Sequence, residues 1–234
     1  VLFAAFVKGA IGFGFPAIAT PILALFVEVK VAVPVLIVPN MTMDAIQVAR
    51  LGGFLVTLRR MAVLLSFGVV GTFLGTRLLV VLPGAVATAV VGGLVLLFVA
   101  LNASRVQPRV PASWAPWLAP PMGLVAGLSG GLANVPGLPL VIYFYALRLE
   151  KRDFIRTVAI TFIVLKVVQL GAVAWYGLLT WSMLSATLAL TVVALGGFAL
   201  GLRVQDRLDP LAFNRAVLVF LAVLGVWLVV RTLS

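Results

Sequence analysis

The sequence predicts an all-α polytopic membrane protein made of two inverted repeats, each a broken or re-entrant helical hairpin plus three transmembrane helices. Three observations predict it. First, 64% of the 234 residues are hydrophobic and 10% are charged, with a mean hydropathy of +1.27, whereas about a quarter of the residues of a soluble domain carry charge. Second, a Gly/Pro-rich run interrupts an apolar stretch twice, at Gly9–Pro21 (GAIGFGFPAIATP) and at Gly127–Pro139 (GLSGGLANVPGLP). A shift of 118 positions lays Gly9 on Gly127, Gly12 on Gly130 and Pro21 on Pro139, as expected of a membrane fold built from an internal repeat with one helix break per half. Third, the 17 Lys and Arg residues cluster between apolar stretches, where they set orientation.

In chain order, apolar blocks fall at 1–27, 31–49, 61–82, 85–103, 114–147, 154–176, 181–202 and 211–230. The chain begins at Val1, where a short leader is expected to precede it, and its first residues do not read as a cleavable signal peptide. Block 114–147 is too long for one crossing of about 20 residues. The flank before its Gly/Pro run, 114–126, reaches past the midplane of a core about 30 Å thick without crossing it. Both broken blocks are therefore expected to enter and leave on one side.

Basic residues choose between eight crossings and six. With all blocks spanning, one face collects Lys30, Arg77, Arg148, Lys151, Arg152, Arg156, Arg203, Arg207 and Arg215, against Arg50, Arg59, Arg60, Arg105, Arg109 and Arg231: nine against six. With blocks 1–27 and 114–147 re-entrant the split is twelve against three, leaving Lys30, Arg77 and Arg231 alone on the outer face. The sharper asymmetry favours six spans, two hairpins and both termini outside. The uncharged connection Trp175–Trp181 then lies outside, its aromatics at an interface. The segment 104–116, rich in Pro, joins a first repeat (1–103) to a second (117–234). Gly71-x-x-x-Gly75-x-Arg77 in the third block has its counterpart in Gly197-x-x-x-Gly201-x-Arg203 in the seventh, a spacing that lets helix backbones approach in lipid.

Composition also excludes. With no Cys and no His, disulfides, thiol nucleophiles, imidazole acid/base catalysis and most transition-metal sites are ruled out, and neither cofactor nor metal is expected. The net charge of +11 reads as a topology signal and calls for no nucleic-acid partner.

A helix broken inside the membrane frees N–H groups at the start of its second half, and glycines let an anion approach that backbone. The candidate binding residues are accordingly Lys8, Gly9, Gly12, Gly14 and Thr20 in the first run and Ser129, Gly130, Gly131 and Asn134 in the second. For one run alone, helix packing explains the glycines as well as a site does; two matched runs favour a site. Phe13 and Phe15 make the first surface more apolar. Ionisable residues within spans are costly and mark function or pairing: Lys8, Asp44 and Lys166 qualify. A shift of 122 lays Gln47 on Gln169 and Asp44 on Lys166, so the repeat brings Asp44 and Lys166 together as an ion pair, structural or coupling. Asn40, Thr42, Gln47, Thr161 and Gln169 are candidates to line a path; each alone reads equally as a helix-to-helix hydrogen bond.

The order Gly9-x-x-Gly12-x-Gly14-x-Pro16, then Gly123-Leu124-x-x-Gly127-Leu128-Ser129-Gly130-Gly131-x-x-x-x-Pro136, with Gly71-x-x-x-Gly75-x-Arg77-Leu78 closing the third block, resembles the TauE/SafE family of sulfite exporters and organosulfur anion transporters over nearly the whole chain. The resemblance implies a bacterial inner-membrane transporter, of the exporter type, for sulfite or an organosulfonate, with the lipid bilayer as its surroundings and a coupled proton as one way to energise it. The first run departs from the family's triple glycine by placing Phe13 and Phe15 around Gly14, which bears on substrate. A membrane-embedded enzyme acting on a lipid phosphate is the rival, and lacks a general acid/base, since Glu28 and Glu150 both fall at segment ends. A lipid-embedded scaffold is the third reading, disfavoured by polar residues at matched breaks.

Overall fold

The computed structural model describes residues 1–103, 112–147, 149–205 and 210–233. They form twelve α-helices and one 3₁₀ turn. The first run divides block 1–27 into α1 (Leu2–Ile11) and α2 (Phe15–Ala24). The next block is kinked at Leu36, between Pro34 and Pro39, into α3 (Val29–Val35) and α4 (Ile37–Leu51), as proline within a helix requires. A short helix that the blocks do not show, α5 (Phe54–Arg60), precedes α6 (Ala62–Val81) and α7 (Gly84–Ala103). In the expected linker, residues 104–111 lie outside the described residues, and Ala112–Trp114 form the 3₁₀ turn that leads into α8 (Ala115–Ala133). The second half continues with α9 (Gly137–Ala146), α10 (Lys151–Trp175), α11 (Trp181–Val204) and α12 (Pro210–Leu233).

Five segments among the described residues are long and apolar enough to cross a membrane: Val29–Leu51, Ala62–Val81, Gly84–Leu101, Lys151–Trp175 and Trp181–Val204. α12 has 24 residues, and the described part of its apolar stretch is Leu221–Val230. Apolar side chains such as Phe67 and Phe73 on α6, Leu188 and Val192 on α11 and Val223 on α12 face outward, a surface suited to lipid and not to water. Trp117, Trp175 and Trp181 are more than 80% exposed at helix ends, where interfacial anchors belong.

The halves interlock. α1 packs along α11, α8 along α6, α7 against α12 and α4 against α10. Glycine makes the first two contacts close: a Cβ on Gly71 or Gly75 would strike the backbone of Leu124 or Leu128, and one on Gly197 or Gly201 would strike that of Leu2 or Phe6. The small-residue stripes are thus helix-packing faces. They also fix the register between halves, because Leu2 and Leu124 differ by 122 positions, as do Phe6 and Leu128. This spacing of 122 differs from the 118 read from the glycines of the broken segments: it lays Gly9 on Gly131 and Gly12 on Asn134, and it is the shift that lays Asp44 on Lys166. The glycine identities at 118 are coincident because glycine recurs every few residues along a packing stripe.

A second correction concerns the opening run of the second half. Its glycines do not break the helix; α8 runs through them to Ala133, 19 residues or about 28 Å. Gly123, Gly127 and Gly131 abut the backbones of Leu64, Gly68 and Thr72, so packing against α6 offsets their poor helix propensity. The break falls at Asn134–Pro136.

Candidate functional site

Both breaks are capped in the left-handed region. Gly12 (φ 92°) and Gly14 (φ 96°) end α1 and begin α2, with Pro16 in the first turn of α2. The second break uses Asn134 (φ 63°), the one non-glycine residue with positive φ among the described residues. Its N–H donates to Gly130 O at 3.0 Å, the single closure of an αL cap, and Val135 N–H donates to Ser129 O at 3.2 Å. Where glycine would be cheaper, an asparagine supplies a side chain.

A glutamine from the following long helix completes each break. Gln47 of α4 donates to Gly12 O at 3.0 Å. Gln169 of α10 donates to Gly130 O at 3.0 Å and to Gly131 O at 3.2 Å. Carbonyls freed at a helix end inside a bilayer have no water to turn to, and these amides take that role.

Around the breaks lie the buried charges. Lys8 Nζ, fully buried, donates to Asp44 Oδ1 at 2.6 Å and Asn40 Oδ1 at 2.8 Å, and stands 5.7 Å from the centroid of the Phe162 ring. This differs from the expected pairing of Asp44 with Lys166. In the structure α1 carries Lys8 directly to the α4 face bearing Asn40, Asp44 and Gln47 at i, i+4 and i+7, and Asp44 pairs with it there through Oδ1. Lys166 is 1% exposed and donates to Asn134 Oδ1 and Gln169 Oε1, neutral amide oxygens both. No carboxylate among the described residues lies within ion-pair distance of it. Asn134 Nδ2 in turn donates to Thr20 Oγ1 at 3.2 Å, linking the second break to the first hairpin.

A narrow cleft, with room for about one water molecule, separates the two breaks. Phe13, Gly14, Pro16 and Ala17 line it from the first, Val135, Pro136 and Gly137 from the second, with Phe98 and Phe162 completing the walls. The starts of α2 and α9 therefore face one space, and the first N–H groups of a helix lack intrahelical acceptors. A Cβ on Gly137 would meet nothing within 4 Å, and one on Gly14 only Val7 at 3.9 Å; these two glycines leave backbone open where others close a contact.

The sequence-predicted residues separate into groups. Gly14 lines the cleft, while Thr20, Asn134, Lys166 and Gln169 form one connected network beside it. Lys8, Asn40, Asp44 and Gln47 form a second network joined to Gly12. Gly9 and Gly131 lie against the backbones of Phe198 and Thr72, so their faces serve packing. Gly130 faces Pro136, which a Cβ there would meet at 3.1 Å. The Ser129 hydroxyl donates back to Val125 O at 2.8 Å, and Thr42 does the same to Val38 O at 2.9 Å. Thr161 is buried with no partner for its hydroxyl, and Asn40 Nδ2, Asp44 Oδ2 and Gln47 Oε1 are likewise unpartnered. Unsatisfied buried polar atoms are rare enough to mark a working site.

A family model described as sulfite exporter TauE/SafE matches residues 1–228. The chain belongs to this family. Comparison with curated proteins and with solved structures returns no match. TauE/SafE proteins export sulfite and related sulfur anions, and the apolar spans of this chain agree with a membrane-integral transporter. The sequence reading did not single out Phe98, Phe162, Val135, Pro136 and Gly137 as cleft residues. Phe162 had a signal, since it lies one helical turn before Lys166 on α10. Phe98 had none, being one apolar residue among many on α7. Of the two phenylalanines in the first run, Phe13 lines the cleft and Phe15 is buried in the core.

Proposed function

We propose that this TauE/SafE protein carries a small sulfur oxyanion, sulfite or an organosulfonate, across the bacterial inner membrane, binding it between the two helix breaks. The observation that supports this most is Lys166, a buried ammonium whose described partners are neutral, next to a cleft onto which two helix starts open. The anion accepts from backbone N–H groups at the starts of α2 and α9, where the helix dipoles favour negative charge. Asn134 holds Lys166 against that space and Thr20 holds Asn134. A sulfite or sulfonate group is larger than the space the cleft offers, so the two tips part as it binds. Phe13, Phe98 and Phe162 give an organic substituent an apolar wall.

In this reading the halves are inverted about the bilayer, both termini are periplasmic and transport runs outward. Asp44, with Lys8 as partner and Oδ2 unpartnered, is the residue through which a proton would couple. Purified protein in liposomes tests the proposal: saturable counterflow of labelled sulfite, unchanged chemically and lost in Lys166→Met, is expected. Hydrolysis of a lipid phosphate would favour the enzyme, and a folded protein that neither moves nor alters an anion would favour the scaffold.

A further inference from the structure

We infer that the site is matched to a single negative charge, so that it accepts a monovalent anion and rejects a divalent anion of the same shape. This rests on the anion reading of the cleft. Among the described residues, the charged side chains buried within the helical core are Lys8, Asp44 and Lys166, each no more than 1% exposed. Lys8 and Asp44 cancel across 2.6 Å. Lys166 remains, held by amide oxygens that carry no charge. With Lys166 protonated, the described interior thus has one positive charge to spare.

A single anionic charge brings that interior to neutrality. A second would stand unbalanced in a medium that penalises isolated charge heavily. The cleft walls add no charged side chain to compensate it, being Phe13, Phe98, Phe162, Val135 and the prolines and small residues of the two breaks, and the helix starts of α2 and α9 are dipoles that the first charge already engages. Of the other unpartnered donors, Asn40 Nδ2 and the Thr72 and Thr161 hydroxyls are dipoles, which stabilise negative charge without neutralising it, and Arg156 Nε belongs to a guanidinium already paired with Asp153. Asp44 Oδ2 and Gln47 Oε1, also unpartnered, are acceptors and oppose a surplus of it.

The test uses the purified full chain in liposomes and labelled methanesulfonate counterflow, competed by methylphosphonate below and above the second ionisation of the phosphonate. The two molecules share a tetrahedral head and a methyl group, so ionisation changes charge at nearly constant shape. Methanesulfonate keeps its charge throughout and reports any effect of pH on the protein itself. The monoanionic phosphonate is expected to compete, with a loss on the order of a hundredfold once it is dianionic. Equal competition by both forms overturns charge matching and leaves anion transport standing, as does sulfite counterflow without methanesulfonate counterflow. Absence of counterflow for sulfite and methanesulfonate alike overturns the anion reading and this inference with it. Asp44→Asn raises the interior to two positive charges and is expected to narrow the preference for the monoanion by roughly tenfold or more. The double variant Lys8→Met with Asp44→Asn returns the interior to one positive charge and restores the preference. A folded double variant that favours the dianion overturns the inference.

Discussion

The two helix breaks share a backbone plan and differ in where they keep their charge. At the first, α1 brings its own cation, Lys8, and α4 supplies the carboxylate that neutralises it. At the second, the positions 122 residues after Lys8 and Asp44 are Gly130 and Lys166: the cation stands on the long helix, and no carboxylate among the described residues is paired with it. The caps differ in the same way, with Gly12 replaced by Asn134, whose side chain holds the unpaired ammonium. Two breaks of similar backbone plan thus differ at a few positions that leave one a neutral, tied-down element and the other carrying Lys166. A strictly symmetric pair would have either no spare charge or two.

The largest effect expected is on the charged side of that contrast. Lys166→Met removes the spare charge and should abolish counterflow while the protein still elutes as a folded species, because Met fills similar volume without needing a partner. If transport survives, the second break is not the one that carries the anion.

Next in size is the neutral side. Asp44→Asn leaves Lys8 buried without its carboxylate and should destabilise the protein by about 3–5 kcal/mol, read from denaturation in detergent. Adding Lys8→Met should recover most of that loss, since the pair is then replaced by uncharged groups. A single variant as stable as the parent would mean that Lys8 and Asp44 do not depend on each other.

The glutamines compare the breaks with charge held constant. Gln47→Leu leaves Gly12 O without its donor, and Gln169→Leu takes a donor from Gly131 O and a second one from Gly130 O, which keeps Asn134 N–H, and removes an acceptor from Lys166. At about 1–3 kcal/mol for an unsatisfied buried group, the second should cost more stability than the first. Equal losses would place the Gln169 contribution on one carbonyl only.

Helix positions and the paired breaks were legible because membrane helices announce themselves by length and hydropathy, and because Gly and Pro punctuate strongly. The ionisable residues that matter were legible too, since Lys8, Asp44 and Lys166 stand out in apolar surroundings. Their pairing was not. A shift of 122 lays Asp44 on Lys166 in sequence, but such an alignment does not set which side chains meet, and α1 inserts Lys8 first. The glycines misled for a related reason: Gly9, Gly127 and Gly131 look identical to Gly14 and Gly137 in sequence. Only the packing partner separates a glycine that admits a neighbouring helix from one that leaves backbone open.

The smallest effect on stability belongs to Asn134→Gly, and it isolates what the second cap adds to the first. Glycine adopts φ 63° without the penalty an L side chain meets, so the turn itself should survive and relieve strain. Against that gain stand the lost hydrogen bonds to Thr20 and from Lys166, worth about 1 kcal/mol each for a typical bond and somewhat more for the charged one. Net stability should therefore change by no more than about 1–2 kcal/mol. Transport should fall further than stability does, because Lys166 loses the group that holds it beside Val135 and Pro136. The matching change, Gly12→Asn, should cost more stability, since a Cβ there would meet Ile155 Cγ1 at 2.6 Å. Counterflow measured beside thermal unfolding separates the two roles: if Asn134→Gly lowers both in proportion, the asparagine is a cap and nothing else, whereas a drop in counterflow at near-constant unfolding temperature makes it a positioning residue for the ammonium.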